Sequence, residues 1–306
     1  MKVVLIGFGH LGRWHAEKIQ QSSHVEFCGI VEKSLDAHNE IKKKFPEVPL
    51  YESLEDVKGD FDIGIVVTPT SVHYQVVKEL LDKNKHVFCE KPMVSTPEEV
   101  EKIALVLKDK DDLKFQVGHS ERCHQVWEMV DQFSDFLKPP FSMKINRLAA
   151  FKGRATDVDV VQDLMIHDVD IVNMLFKDGA KFSSAIGFKS LTDKWDHCEA
   201  QFTFEGNGHI QLISGRNYTH EVRTFECSNR FGTVFIDLFN RKFTKTLKGG
   251  EPETIDYEVR DHLLIEHQKF YESIKNNTKT FVDFSDGKDA MEKLFLILNH
   301  LDQKGP

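Results

Sequence analysis

A short apolar run, Val3-Val4-Leu5-Ile6, is followed at once by Gly7-Phe8-Gly9-His10-Leu11-Gly12, and a helical pattern opens directly behind it. A second apolar run, Val25 to Val31, ends at Glu32, twenty residues past Gly12. Strand, glycine turn, helix, strand and acid in that order form the dinucleotide-binding fingerprint in its structural context. Gly7 permits the tight turn, Gly9 lets a pyrophosphate approach the backbone, and Gly12 lets helix and strand pack closely. The N–H groups and positive dipole end of the helix then face the phosphates. Phe8, His10 and Leu11 fill the motif and join the glycines as candidate cofactor contacts. Glu32 is placed to accept hydrogen bonds from ribose hydroxyls and to repel a 2′-phosphate, which favours NAD. Lys33 beside it would tolerate that phosphate, so NADP stays open. A glycine turn in an α/β domain without a ligand fits the same residues.

The first 118 residues alternate strand and helix. Strand candidates are Lys2–Ile6, Val25–Glu32, Asp62–Val67, His86–Cys89 and Phe115–Val117, with helical patterns over Leu11–Gln21, Leu35–Lys44, Val72–Lys83 and Pro97–Lys108. That alternation predicts βαβ units and a right-handed parallel sheet. Chemistry is expected just beyond the carboxyl ends of its strands. After Gly118 the texture changes. A strand at 141–151 and a helix from Val160 to Phe176 precede β-rich runs separated by turns such as Glu205-Gly206-Asn207-Gly208. Two helices, Asp261–Lys275 and Asp286–Gln303, close the chain. The expected fold is α/β: a parallel Rossmann sheet over 1–118, then an α+β domain over 119–306 with an open, mostly antiparallel sheet.

At 306 residues the chain has room for both domains, and its 40% hydrophobic and 29% charged content is ordinary for a soluble globular protein. A formal charge of -9 with no offsetting basic stretch argues against nucleic acid as a partner. No apolar run has the length of a membrane span, and the N-terminus enters a strand where a signal peptide would lie. The cysteines, Cys28, Cys89, Cys123, Cys198 and Cys227, are odd in number and form no CxxC pair. Neither a disulfide framework nor a zinc ribbon is indicated, and a cytoplasmic location is expected.

Three segments carry candidate chemistry. Thr68-Pro69-Thr70-Ser71 follows the third expected strand and leads into a helix capped by Thr70 or Ser71. It could line a cofactor diphosphate or be a cap alone. Glu90-Lys91-Pro92 follows the next strand. Lys91 there could hydrogen-bond a substrate hydroxyl and stabilise developing negative charge. A surface ion pair is the competing reading. Pro92 holds Lys91 extended and helps fix its aim. In Asp163-Leu164-Met165-Ile166-His167-Asp168-Val169-Asp170, helical spacing puts Asp163, His167 and Asp170 on one face. A carboxylate one turn from an imidazole can orient it as a general base. A solvated acidic face fits as well. A metal site would need remote ligands such as His119 or His124, and none is assigned.

The ordered set GFGHLG, TPTSVH, EKP, VGHSER and DLMIHDVD resembles the Gfo/Idh/MocA oxidoreductase family along nearly the whole chain. The resemblance implies NAD(P)-dependent hydride transfer at a carbinol carbon of a sugar or cyclitol. By motif match Lys91 takes the family's EKP lysine role, His167 its histidine role and Asp163 that of the accompanying aspartate. It also implies cofactor contacts from Thr68, Pro69, Thr70, His73, Glu90 and Lys91. Substrate contacts are expected from Lys91, His119, Arg122, Arg154, Asp163 and His167. VVQDLMIHDVDIVNML and VGHSER are similar to the branch acting on nucleotide-linked amino sugars, of which UDP-N-acetylglucosamine 3-dehydrogenases are the example. That branch usually continues Glu-Arg with Phe-Asn-Pro, where this chain reads Cys123-His124-Gln125. Arg122, Lys152 and Arg154 could hold a diphosphate or be ordinary surface cations.

The expected mechanism has His167 take a hydroxyl proton while Asp163 holds its ring, Lys91 stabilise the oxyanion, and hydride pass to the nicotinamide. A non-catalytic nucleotide or sugar sensor of the same fold is the rival from another class. Retention of Lys91 and His167 argues against it. A dehydrogenase of a free sugar or cyclitol is the enzymatic alternative. Apolar residues in the second half suggest a homodimer or homotetramer through the open sheet.

Overall fold

The computed structural model describes all residues except Lys152, 154–157 and 305–306. It divides into two compact units, one of residues 1–120 with 261–288 and the other of 121–260 with 289–306. The division expected at residue 118 holds only for the first crossing. The segment 261–288, expected in the second domain, returns to the first.

In the first unit β1 (Lys2–Ile6), β2 (Glu26–Val31), β3 (Leu50–Tyr51), β4 (Ile63–Val66), β5 (His86–Glu90) and β6 (Phe115–Gly118) make one parallel sheet in the order β3-β2-β1-β4-β5-β6. Val3, Val4 and Leu5 are fully buried. A run apolar at every position suits a strand covered on both faces, which is where parallel sheets live. Between the strands run α1 (His10–Gln21), α2 (Leu35–Lys44), α3 (Thr70–Asp82) and α4 (Pro97–Leu107). The start of α4 is a capping box, with Thr96 and Glu99 each answering the other's backbone and Pro97 in the first turn. The strand order reverses between β1 and β4, so the crevice beyond their carboxyl ends is the topological switch point. The two-residue strand β3 had no sequence signal.

Helix α6 (His262–Asn276) belongs to this unit and is capped by Asp261, whose carboxylate accepts the Leu264 N–H at 3.0 Å. Asp261 also meets Lys18 of α1 at 2.7 Å. Phe270 and Tyr271 of α6 enter the same core as Val3, Leu5, Ile30 and Phe88.

The second unit is built on an eight-stranded sheet. Its strands are β7 (Phe141–Leu148), β8 (Ala180–Phe188), β9 (His197–Phe204), β10 (Gly208–Gly215), β11 (Val222–Asn229), β12 (Gly232–Asp237), β13 (Lys242–Leu247) and β14 (Glu253–Asp256). Their order is β14-β13-β12-β11-β7-β10-β9-β8. Neighbours are antiparallel except β7 and β10, which are parallel. Alternation explains the layer: Phe141, Met143 and Ile145 are buried while Ser142 and Lys144 between them are exposed. The apolar residues of this half go largely to that core. Gln201, Thr203, His209 and Glu226 join Ser142 and Lys144 on the exposed side of their strands, as do the apolar Ile186 and Phe188 of β8.

The expected helix at 160–176 has two parts, a π-helical turn over Val161–Met165 and α5 (Ile166–Phe176). Both lie against strands of this sheet, β10 and β8. Short 3₁₀ segments, Ser120–Cys123, Gln125–Gln132 and Ser134–Leu137, precede β7. Helix α7 (Phe284–Lys304) closes the chain. Among the described residues no helix is long and apolar enough to cross a membrane, and the cysteines form no disulfide.

Phe270 is fully buried with its ring centroid 5.8 Å from that of Phe88. Phe270→Ala is expected to cost about 3–5 kcal/mol, read as a lower urea midpoint. A loss below about 1 kcal/mol would show that 261–288 is not part of the first unit's core.

Candidate active site

Backbone geometry, more than side chains, shapes the nucleotide end of the first unit. Gly7 has φ +99°, and a Cβ there would fall 2.5 Å from the Val67 carbonyl oxygen, so only glycine fits the turn. Gly12 would drive a Cβ into the Gly7 carbonyl, which is how α1 packs close behind β1. Gly9 is different. Nothing lies within 4 Å of a Cβ placed there, so its lack of a side chain serves an approaching group and not the fold. Helix α1 starts after Gly9 with no side-chain cap and no acid in its first turn. Its N-terminal dipole and amides are therefore available to an anion.

Around this turn opens a cleft of about 850 Å³ lined by Gly7, Gly9, His10, Leu11, Glu32, Lys33, Thr68 and Pro69 among others. Glu32 is held by two backbone donors, Phe8 N–H at 2.6 Å and Ser34 N–H at 2.7 Å. A carboxylate so fixed still has lone pairs for ribose hydroxyls. The Thr68 hydroxyl oxygen is buried without a hydrogen-bond partner. An orphaned hydroxyl, an uncapped helix start and open space at Gly9 together fit a dinucleotide.

Some expected contacts take other roles. Phe8 is a core side chain, packed edge-on to Phe45 at 5.9 Å, and its amide is spent on Glu32. Neither Thr70 nor Ser71 caps α3. The cap is Pro69, Thr70 is the first helical residue, and no side-chain cap bond forms. His73 is 1% exposed, with Nδ1 2.9 Å from the Pro92 carbonyl and Nε2 2.7 Å from the Thr68 carbonyl. Its ring ties the segment after β4 to the segment after β5, and burial lowers its proton affinity. Thr70, His73, Glu90 and Lys91 do not line the cleft.

Glu90 ends β5 and is only 7% exposed. Its Oε1 lies 3.0 Å from His15 Nε2, and its Oε2 accepts the Lys91 amide N–H at 3.2 Å. Burial pushes its carboxyl up, but the His15 hydrogen bond, the His15 charge and Lys91 outweigh that, and Glu90 titrates below its ordinary range. The Glu90–Lys91 pair is therefore no ordinary surface ion pair, because its acid is inside. His119, one residue past β6, is 1% exposed.

In the second unit the acidic helix breaks up by function. Asp163 sits in the π turn and His167 in the first turn of α5, both half-buried. Asp159 accepts the Val161 and Gln162 amide N–H groups at 3.0 Å each, and burial raises its carboxyl to about 6. Asp170 was expected on the same face as Asp163 and His167. It is fully buried in a bidentate pair with Arg122, at 2.6 and 2.8 Å. Arg122 thus serves the core, with its guanidinium fork closed on a carboxylate, and is not placed to take a diphosphate. Arg154, like Lys152, lies outside the described residues.

A second buried array went unforeseen. Arg147 occupies a core-facing position of β7 and donates to Asp168 at 2.8 and 3.0 Å and to Glu121 at 3.1 Å. Glu121 also receives Arg223 at 3.3 Å and meets His124 at 3.4 Å. Burial would raise Glu121, but Arg147, the His124 hydrogen bond and the His167 charge hold it well below the usual carboxylate range. Burial raises Asp168 despite Arg147. An arginine where strand alternation demands an apolar residue was the readable signal. Among the described residues no group of histidine, cysteine or acid side chains is arranged to hold a metal.

Residues 1–119 match the GFO_IDH_MocA family model, described as an oxidoreductase family with an NAD-binding Rossmann fold. The chain is 27% identical over 300 residues to UDP-N-acetylglucosamine 3-dehydrogenase of Acidithiobacillus ferrooxidans, covering 95% of this chain and 94% of that protein. It is 25% identical over 325 residues to scyllo-inositol 2-dehydrogenase (NAD(+)) of Bacillus subtilis, covering 95% and 91%. The solved structure of the Acidithiobacillus ferrooxidans enzyme superposes with TM-score 0.89 at 26% identity, covering 99% of this chain and 98% of that one. The fold is also that of scyllo-inositol dehydrogenase from Lactobacillus casei, solved with NAD(H) and scyllo-inositol, at TM-score 0.82, 22% identity and coverage of 99% and 97%.

Gly9→Ala is expected to leave thermal stability unchanged and to weaken NAD. A backbone donor lost to a charged phosphate is worth about 1.5–3 kcal/mol, roughly ten- to a hundredfold in dissociation constant. Titration calorimetry beside a melting curve checks both halves, and an unchanged affinity would remove the phosphates from this turn.

Proposed function

We propose that the chain, whose residues 1–119 match the Gfo/Idh/MocA oxidoreductase family, is an NAD-dependent dehydrogenase of a nucleotide-linked amino sugar, acting at the C3 carbinol of a UDP-N-acetylglucosamine-type substrate. The observation that carries the reaction class is Lys91 at the end of β5 with a buried, ionised Glu90 beside it. The substrate class rests on likeness to the Acidithiobacillus ferrooxidans enzyme over 95% of this chain.

Lys91 is the electrostatic stabiliser of the alkoxide that forms as the hydroxyl loses its proton. His167 is the proton acceptor and Asp163 orients it. Arg147, Asp168 and Glu121 hold the first turn of α5, so the histidine keeps its position through the proton transfer. Bound NAD⁺ would supply the hydride acceptor. Glu32, fixed by the Phe8 and Ser34 amides, accepts the adenosine ribose hydroxyls and disfavours a 2′-phosphate. Association of copies through the open sheet would use its exposed side, where Ile186 and Phe188 lie beside the polar residues.

Turnover is followed by NADH absorbance with UDP-N-acetylglucosamine, myo-inositol and scyllo-inositol as substrates. The expected order of kcat/KM puts the UDP-sugar first, and turnover with inositols alone would overturn the substrate assignment. Lys91→Ala is expected to lower kcat by roughly 10²–10⁴-fold with NAD affinity kept. Near-normal turnover in that variant would overturn the role of the lysine.

A further inference from the structure

Behind the Lys91 segment the first unit buries three side chains that the mechanism above does not use. His15 Nε2 lies 3.0 Å from Glu90 Oε1, His15 Nδ1 2.8 Å from His267 Nε2, and His267 Nδ1 3.2 Å from the Tyr271 hydroxyl. His15, His267 and Tyr271 are each no more than 1% exposed. They come from α1 and α6, and Phe88 packs edge-on against both imidazoles at 5.5 Å. On the other side, a Cβ on Gly118 would fall 2.6 Å from Glu90 Oε1, so the carboxylate occupies a slot that glycine leaves open.

Hydrogen-bond polarity in this chain is forced from one end. An ionised carboxylate only accepts, so His15 donates to Glu90 from Nε2. With His15 neutral, its Nδ1 accepts from His267 Nε2–H, and His267 Nδ1 accepts from the Tyr271 O–H. With His15 protonated, Nδ1–H donates to His267 Nε2, and His267 Nδ1–H donates to the Tyr271 oxygen. Every ring nitrogen is satisfied in both states, and Nε2–H faces Glu90 in both.

We infer that Tyr271, His267 and His15 form a positioning relay that keeps Glu90 ionised and oriented beside Lys91, the lysine proposed to meet the reacting oxygen. This rests on the role proposed for Lys91. Glu90 faces His15, Lys91, His73 and Cys89. His267 faces His15 and Lys18, the latter paired with Asp261. Burial first and then His15 keep His267 from charging.

Three variants test the relay. His15→Met removes the donor to Glu90, His15→Gln keeps a donor at the Nε2 position, and Tyr271→Phe trims only the terminal hydroxyl. Without its donor Glu90 binds a proton more readily. The acid limb of kcat/KM against pH then moves toward neutral by about one unit in His15→Met, a tenfold change in proton affinity. It moves less in Tyr271→Phe and stays in place in His15→Gln, with NAD affinity unchanged throughout. Infrared spectroscopy reads the same event without turnover. A protonated-carboxyl stretch, assigned by its loss in Glu90→Gln, is expected in His15→Met at a pH where the parent protein lacks it. Should His15→Met fail to fold, Tyr271→Phe decides. An unmoved limb and an unmoved carboxyl band in the folded variants overturn the relay. Absence of sugar turnover in the parent overturns the proposed function instead and leaves the infrared test standing.

Discussion

An acid that is buried and still ionised is a demand the rest of a fold must meet. An unpaired carboxylate in a protein interior costs more than most domains have in net stability. Glu90 therefore collects donors, and the donors dictate architecture. His15 comes from α1 and is itself held by His267, which sits on a helix that begins only at His262. The return of 261–288 to the first unit is the structural answer to that demand, reinforced by Phe270 in the shared core. Glu121 sets the same problem in the second unit. Its solution recruits Arg147 and Arg223 from neighbouring strands, and Arg147 is shared with Asp168 of the helix that bears His167.

The two arrays differ in a way that suits different tasks. Around Glu121 two partners are arginines, Arg147 and Arg223, which do not titrate in the accessible range, and His124 joins them at 3.4 Å. Around Glu90 the partners are histidines and a tyrosine, groups that can move a proton without losing a hydrogen bond. In the proposed reaction the first array would steady the helix that bears the base, and the second the acid beside the lysine.

Periodicity and turn chemistry were enough to place the strands of both sheets other than β3 and β14, because those follow from local rules. The apolar run before Gly7 and the alternation in β7 each read directly as strand. Longer-range pairing was not legible. The two-residue β3 exists because Leu50 and Tyr51 lie beside Ile30 and Val31, which no local pattern announces. Asp163 sits in a π turn over Val161–Met165 just ahead of the helix that bears His167, a geometry that residue spacing alone cannot carry. Spacing put Asp170 on the face of Asp163 and His167, and charge made Arg122 a candidate for a diphosphate. Each is explained by the other, a contact across 48 residues of sequence. His73 was counted with the cofactor because of its motif, whereas its ring is spent on two carbonyls.

The split between what could and could not be read has a physical origin. The nucleotide end is made of backbone: glycines whose missing Cβ atoms are the functional feature, a helix start, and two amides aiming Glu32. Such features are written as short contiguous motifs, since a turn is built from neighbours. The reacting end is made of side chains whose charge state depends on burial and partners. Burial gathers those partners from distant parts of the chain, as His267 and Arg147 show. A motif can therefore name the nucleotide with some precision while leaving the substrate to residues that only the folded chain assembles. The lysine and histidine of the proposed reaction stand at that boundary: each lies in a local motif, yet its working state is set by groups the motif does not contain.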